Sequence, residues 1–328
     1  MKYRILGKTG FNISEVSLGT WQVGGKWGSG FDHSLADKLL HQALDEGINF
    51  IDTADVYEAG ESEKAVGRIV KQSRERIYVA TKCGRQINPH TNAGYTPEVL
   101  RNYVEQSLRR LGLETIDLIQ LHCPPNEVYY RQEIFYEFEK LKKEGKILNL
   151  GVSVEKVEEA LKAIEFDNVT TVQIIFNMFR QRPSEYFFKR AAEKNIGIIT
   201  RVPLASGLLS GTFNSQTKFS SGDHRFGNRN GEWFDKGETF AGIPYEIGLE
   251  AATKVKELFP DKQNISAIAL KWILMHKEVT CVIPGASSVE QIKQNMLSLN
   301  EPEISVEKLS QINQIYNQYI KAFVHHNW

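Results

Sequence analysis

The sequence predicts a closed, parallel (β/α)8 barrel of the TIM type, with an N-terminal β-hairpin and one long loop after the seventh barrel strand. Short apolar runs alternate with helix-period segments eight times, and the runs are apolar on both faces, as buried parallel strands are. A doubly wound sheet is the structural rival. It asks for G-x-G-x-x-G after the first strand, which Leu18-Gly19-Thr20-Trp21-Gln22-Val23-Gly24 does not supply. A length of 328 residues alone does not choose between two small domains and one large barrel. The unbroken alternation predicts a single domain over 1–328.

In chain order, Tyr3-Arg4-Ile5-Leu6 and Asn12-Ile13-Ser14 flank a turn at Lys8-Thr9-Gly10, which reads as the hairpin. Strands are predicted over 15–19, 48–52, 77–82, 116–121, 147–152, 171–175, 197–202 and 279–283. Helices are predicted over 34–46, 61–71, 96–111, 132–144, 154–165, 184–195 and 265–277, with 289–298 after the last strand. Thr96-Pro97-Glu98 places proline at the first helical position behind a threonine cap. Asp45-Glu46-Gly47 and Lys143-Glu144-Gly145 put glycine just past a helix end, with a strand following at once. Residues 206–245 break the rhythm. They are rich in Gly, Ser and Asn and carry Phe213, Phe219, Phe226, Trp233, Phe234 and Phe240, which predicts a lid or binding element rather than a decorative insertion.

Lys+Arg and Asp+Glu both number 40, so no global field favours nucleic acid or an acidic membrane surface. No run approaches the ~20 apolar residues of a membrane span. The start, Met1-Lys2-Tyr3-Arg4-Ile5-Leu6-Gly7, does not read as a signal peptide. Cys83, Cys123 and Cys281 are odd in number and form no C-x-x-C, which predicts neither a disulfide framework nor a zinc site and fits a reducing cytoplasm. Cys83 and Cys123 directly follow Lys82 and His122. By strand alternation both thiols are expected to face the helix layer.

Four polar residues carry the chemistry. Asp52, Lys82 and His122 stand at or just beyond the ends of three predicted strands, and Tyr57 lies in the loop after Asp52. In a parallel barrel such positions converge on one mouth. A phenol of ordinary pKa near ~10 is a poor acid at neutral pH. A buried ammonium beside it favours the phenolate and makes Tyr57 a better proton donor, with Asp52 keeping Lys82 charged and aimed. His122 is expected to orient a carbonyl oxygen. The set suits protonating an oxygen while a hydride arrives at its carbon. Taken singly, each residue has a structural explanation: a loop cap, wall packing, a surface ion pair, a satisfied core histidine. Together, at these strand ends, the functional reading prevails.

At these residues the chain resembles the aldo-keto reductase family over essentially its full length. The resemblance is carried by Asn49-Phe50-Ile51-Asp52-Thr53-Ala54-Asp55-Val56-Tyr57, Thr81-Lys82, Asp117-Leu118-Ile119-Gln120-Leu121-His122 and Gly151-Val152-Ser153. It continues through Val172-Gln173, Pro203-Leu204-Ala205-Ser206-Gly207-Leu208-Leu209-Ser210-Gly211, Ile283-Pro284-Gly285 and Asn295. It implies a (β/α)8 barrel binding an extended nicotinamide cofactor without a Rossmann fold. It also implies Asp52, Tyr57, Lys82 and His122 as the catalytic tetrad, with Tyr57 as general acid.

The resemblance further implies cofactor contacts from Gly19, Thr20, Trp21 and Asp52, and from Ser153 and Gln173 to the nicotinamide carboxamide. Val154 stands where the family usually has Asn. Arg201, before Val202-Pro203-Leu204, replaces an aromatic that commonly stacks on the nicotinamide. Its charge is expected to resist the oxidised ring, unless it pairs with a carboxylate in the mouth. Ser206, Gly207, Leu208 and Ser210 belong to a stretch expected to offer backbone N–H groups to a pyrophosphate. Gly285, Ser287, Gln291 and Asn295 match the adenosine site. Relatives often carry Arg or Lys there, so charge-assisted 2′-phosphate recognition is weakened. NADPH is the expected cofactor, with NADH the alternative.

The substrate expected is a small carbonyl compound, lined by Trp21, Trp27, Tyr57 and His122, with Arg85 and His90 within reach. NAD(P)-dependent sugar or polyol oxidation and a cofactor-sensing regulatory subunit are the alternatives. The sequence does not read out the oligomeric state. His325-His326 has no ligand spacing around it, so no metal is expected and the tail is expected to pack near the rim. Thr20-Trp21-Gln22-Val23-Gly24-Gly25-Lys26-Trp27 lacks the first glycine and final Ser/Thr of a P-loop and is set aside.

Overall fold

A computed structural model of the chain describes residues 1–25 and 30–328; Trp27 lies outside the described residues. The hairpin forms as β1 (Tyr3–Ile5) and β2 (Asn12–Ser14), antiparallel with Tyr3 opposite Ser14. Eight parallel strands follow: β3 (Leu18–Gly19), β4 (Phe50–Asp52), β5 (Tyr78–Cys83), β6 (Ile116–His122), β7 (Ile147–Ser153), β8 (Val169–Ile175), β9 (Gly197–Arg201) and β10 (Val279–Val282). Each pairs with its neighbour in sequence. The first and last meet through bridges at Val16–Val282 and Gly19–Gly285, which close the (β/α)8 TIM barrel. Ser17 N donates to Val282 O at 2.9 Å and Gly19 N to Pro284 O at 3.1 Å along this seam. The approach at Gly19 is close enough that a Cβ would stand 2.8 Å from Ile283 O.

Strand alternation sorts the side chains. Phe50, Ala80, Leu118, Ile199 and Cys281 point inward and form one apolar cluster, joined by Leu6 and Ile13 of the hairpin segment. The hairpin therefore plugs the N-terminal end of the barrel. Lys8 N donates to Asn195 O at 2.8 Å, fastening it there. The outward residues, such as Ile51, Val79 and Ile119, pack against the helices in the larger core.

The helix layer comprises α1 (His33–Asp45), α2 (Glu61–Gln72), α3 (Pro97–Leu111), α4 (Gln132–Lys143), α5 (Val157–Ala163) and α6 (Phe187–Glu193), then the short α7 (His224–Gly227), α8 (Tyr245–Glu257), α9 (Ser266–Leu274), α10 (Val289–Met296), α11 (Val306–Ile315) and α12 (Lys321–Val324). Thr96 caps α3 by accepting from Val99 N at 3.2 Å. α5 and α6 are shorter than predicted. Before α5, Glu159 folds back to accept from the Glu155 and Lys156 amides, which fixes the start of that helix late. α8 and α11 lie outside the predicted segments. The long loop is not structureless: it holds α7 and 3-10 turns at Ala205–Ser210, Lys236–Glu238 and Phe240–Gly242. Among the described residues, no helix is long and apolar enough to cross a membrane.

Candidate active site

Asp52 closes β4, Lys82 is the fifth residue of β5 and His122 closes β6, all on the inward side, so three strands deliver them to one mouth. Lys82 is fully buried and its ammonium spends all three protons. It donates to Asp52 Oδ1 at 2.5 Å, to Thr53 O at 2.8 Å and to the Tyr57 hydroxyl at 3.1 Å. Tyr57 opens a tight turn in which Glu58 and Ala59 both take left-handed backbone angles, at φ 46° and 52°. Such angles disfavour L-residues, and the turn holds the phenol over the ammonium. His122 lies edge-on to Tyr57, with ring centroids 6.2 Å apart.

Electrostatics sharpen the roles. Burial alone would push the Lys82 ammonium down, but Asp52 and Tyr57 hold it above its ordinary range. Burial raises the Tyr57 phenol, and the opposing Lys82 charge does not cancel that rise. The expected shift toward phenolate is therefore corrected: Lys82 pulls that way, and burial wins. Burial, then the Arg85 and Lys82 charges, push His122 well below its usual range, so the imidazole is neutral.

One neighbour of Asp52 is not among the residues the sequence singles out. Gln120, two residues before His122 on the same face, donates to Asp52 Oδ2 at 3.0 Å. Its signal was a buried amide inside an apolar run. Gln173 Nε2, expected at a carboxamide, donates to the same oxygen at 2.8 Å. Glu155 and Glu238, also not singled out, clasp the arginines. Arg201 bonds Glu155 at 2.8 Å and Glu238 at 3.1 Å, and Arg85 bonds Glu238 at 2.7 Å. The positive charge expected to repel an oxidised nicotinamide is thus met by carboxylate. Burial works against Glu238, yet Arg85 and Arg201 hold it below the usual carboxylate range, while burial pushes Glu155 up against the pull of Arg201.

Cys123 corrects another expectation. Its φ is 47°, so strand alternation ends at His122 and the thiol turns toward the mouth. Its sulfur lies 3.6 Å from both Ser153 Oγ and Arg201 Nη2. Burial pushes the thiol well up, so it is an inert one. Cys123, Glu155 and Glu238 bring ligand atoms within 4.8 Å of one another. Arg201 contacts all three, and its guanidinium takes the place a cation would fill.

A cavity of about 350 Å³ runs from this centre across the mouth, within the range of small-molecule sites. Gly19, Thr20, Trp21, Asp52, Tyr57 and Gln173 line its inner end. Arg201, Val202, Pro203 and Leu204 follow, then Ser206, Gly207 and Ser210, and finally Gly285, Gln291 and Asn295. Leu208 is buried away from it, against Gly248. Ser287 turns to Gln291, and Ser153 to Cys123. The amides of Ala205, Gly207, Leu209 and Gly211 donate to carbonyls of their own stretch. Trp21 stands 6.3 Å from Tyr57 and 4.9 Å from His224 of the long loop, whose Phe234 completes an aromatic wall. His90 turns instead to the Tyr95 hydroxyl at 2.8 Å.

A closed parallel barrel with a buried Lys–Asp pair set against a tyrosine, beside a cavity that runs across the mouth, defines a barrel oxidoreductase. The chain belongs to the Aldo/keto reductase family, whose family model matches residues 15–317. It is 28% identical to the L-glyceraldehyde 3-phosphate reductase of Escherichia coli O157:H7, covering 96% of this chain and 92% of that one. It is also 28% identical to the NADH-specific methylglyoxal reductase of Escherichia coli (strain K12), covering 92% and 94%. Among solved structures, the glycerol dehydrogenase AKR11B4 of Gluconobacter oxydans superposes with a TM-score of 0.78 at 31% identity, over 97% and 95% of the two chains. The holo form of aldo-keto reductase AKR11C1 from Bacillus halodurans superposes with a TM-score of 0.76 at 26% identity, over 96% of each. The protein is an oxidoreductase enzyme.

Proposed function

We propose that this chain reduces small aldehydes or ketones to alcohols with a reduced nicotinamide cofactor, Tyr57 supplying the proton. The observation that carries this reading is the Lys82 ammonium held between Asp52 and the Tyr57 hydroxyl. Tyr57 stays protonated at neutral pH, as a proton donor must, and Lys82 stabilises the phenolate left after transfer. The bound cofactor supplies the hydride. Asp52, fixed on its other oxygen by Gln120 and Gln173, keeps the ammonium aimed. Trp21, Phe234 and His224 wall the mouth against water. The L-glyceraldehyde 3-phosphate reductase, the methylglyoxal reductase and the glycerol dehydrogenase are named for three-carbon oxygenated compounds, which favours a substrate of that size. The glycerol dehydrogenase makes the reverse reaction, alcohol oxidation, the natural second direction.

NADPH is the proposed reductant. NADH is a second reading, favoured by the outer end of the cavity, where Gln291, Gln294 and Asn295 are all neutral. Purified protein should turn over methylglyoxal or glyceraldehyde with one of the two cofactors. Tyr57→Phe should lower kcat about 10²–10⁴-fold with cofactor affinity kept. Full activity in Tyr57→Phe sinks the mechanism. Cofactor binding with no turnover of any small carbonyl sinks the enzymatic reading.

A further inference from the structure

Given carbonyl reduction with a nicotinamide as the reaction, the net charge beside Asp52, Tyr57 and Gln173 decides which form of the ring the cavity favours. Arg201 closes β9 and lines the cavity together with those three. His122 is pushed down by burial, then by Arg85, Lys82 and Arg201, so the Arg201 charge reaches the reacting centre. A reduced nicotinamide ring is neutral and an oxidised one carries a positive charge. Any uncompensated positive charge here therefore favours the reduced form. How much of the Arg201 charge is uncompensated depends on which of its carboxyl partners is ionised.

Two carboxyl groups meet it. Glu155, in the loop after β7, accepts from Arg201 Nη2 at 2.8 Å on Oε2. Glu238, from the long loop, pairs with Arg201 Nη1 at 3.1 Å on Oε2 and accepts from Arg85 Nη2 at 2.7 Å on Oε1. The two carboxyls also hydrogen-bond each other. Two carboxylates offer only acceptors, so that bond requires a proton between them. Glu238 has a guanidinium on each oxygen, whereas Glu155 Oε1 is sealed from solvent and accepts from nothing among the described residues. The proton therefore belongs to Glu155. Burial pushes its carboxyl the same way, Arg201 pulls against that, and the Glu238 and Asp235 charges push with burial. Of the other groups facing Glu155, Arg180 offsets Asp235, while burial keeps Cys123 and Tyr129 neutral. Glu159 is met by the Glu155 and Lys156 amides and by the Lys156 charge. Arg85 and Arg201 thus face a single carboxylate, and one positive charge is left over.

We propose that Glu155 is a specificity-determining residue for the oxidation state of the nicotinamide: by holding its proton against Glu238 it leaves the Arg201–Arg85 pair half-compensated, and it gives that proton up to solvent when the oxidised ring binds. The step breaks the O–H bond of Glu155 and moves no electrons. Its carboxylate then completes the compensation that the added positive ring demands. Linkage makes the effect reciprocal: the proton on Glu155 weakens the oxidised cofactor, and the oxidised cofactor weakens the hold on the proton. Reduction is favoured at neutral pH, and alcohol oxidation gains as pH rises.

The test is one of binding and needs no turnover. Titration of the purified protein with NADPH, NADH and their oxidised forms should give the oxidised form a Kd about tenfold or more above the reduced form near pH 7. The gap should shrink as pH rises toward about 9, the range in which buried glutamates titrate. Calorimetry near pH 7 in two buffers of different ionisation enthalpy should show roughly half a proton or more released by the oxidised form and none by the reduced form. Glu155→Gln keeps the shape and neutrality of the acid, so it should keep the gap at every pH and release no proton. Arg201→Met should close the gap, and Arg201→Lys, which keeps the charge, should retain it. In the cofactor-free protein, infrared spectra should show a carboxylic-acid C=O band that Glu155→Gln lacks. A gap indifferent to pH in the wild type, proton release that persists in Glu155→Gln, or absence of that band overturns the proposal, while tight cofactor binding leaves the carbonyl-reduction reading standing. Failure of every cofactor form to bind removes that reading and the proposal with it.

Discussion

Tyr57 sits where burial and an ammonium pull its proton in opposite directions, and burial wins. The sign of the pH dependence follows. Reduction needs the protonated phenol, so its kcat should stay level through neutral pH and fall only as pH climbs past the ordinary phenol value of about 10. Oxidation of an alcohol needs the phenolate and should rise over the same alkaline span. Steady-state profiles in both directions check this, and a reduction rate that falls between about pH 6 and about pH 8 would contradict it. Asp55 offers a second titration, in stability rather than rate. Burial and the nearby Glu63 charge push its carboxyl up to about 7. The unfolded carboxyl loses its proton above about pH 4 while the folded one keeps it to about 7, so stability falls as pH rises through that window. At 1.36 kcal/mol per unit, the roughly three-unit shift is worth about 4 kcal/mol at most. Asp55→Asn should flatten the slope, read by urea unfolding at acid and neutral pH. Lys82, Asp52, Tyr57 and His122 could be read from the sequence because each stands out against an apolar strand end. Glu155 and Glu238 could not, since their meaning comes from arginines up to 153 residues distant.

At the scale of elements, the strands and capped helices showed themselves locally: Thr96 before Pro97, glycine after α1 and α4, apolar runs of strand length. α8 was hidden because it follows a Gly- and aromatic-rich stretch whose order comes from elsewhere in the chain. That order is tertiary. Trp328 stacks its ring 4.0 Å from the Arg180 guanidinium and donates from Nε1 to Asp235 at 2.9 Å. Arg180 in turn donates to the Gly237 and Ala241 carbonyls. Gly237 and Gly242 leave room for the indole, since a Cβ at either would stand within 3 Å of it. The end of the chain thus clamps the same loop that brings Glu238, His224 and Phe234 to the mouth. Trp328→Ala should cost about 3 kcal/mol, by analogy with buried aromatic truncations. It should also expose residues 206–245 to limited proteolysis and raise KM more than it lowers kcat. Unchanged protease resistance would show that the loop holds without the clamp.

Across the whole molecule the barrel is a ring closed by its two most distant strands, and the closure is slight. β3 has only Leu18 and Gly19 in regular pairing with β4, and it meets β10 through isolated bridges. The cavity runs along that junction, with Gly19 and Thr20 on one side and Ile283, Pro284 and Gly285 on the other. A ligand in the cavity therefore rivets the beginning of the chain to its end. Saturation at about 100 times Kd adds roughly 2.7 kcal/mol to global stability. Its local effect should be uneven: amide hydrogen exchange should slow most at Ser17, Gly19 and Val282, whose bonds span the junction, and least in the β5–β6–β7 wall. Uniform slowing would contradict this. In topological terms the occupied barrel is a cyclic object and the empty one a strip whose edges touch. Circular permutants that move the chain ends to the far wall should fold well yet gain less from ligand at this seam, because the covalent chain would then tie together the two edges that the ligand otherwise reinforces.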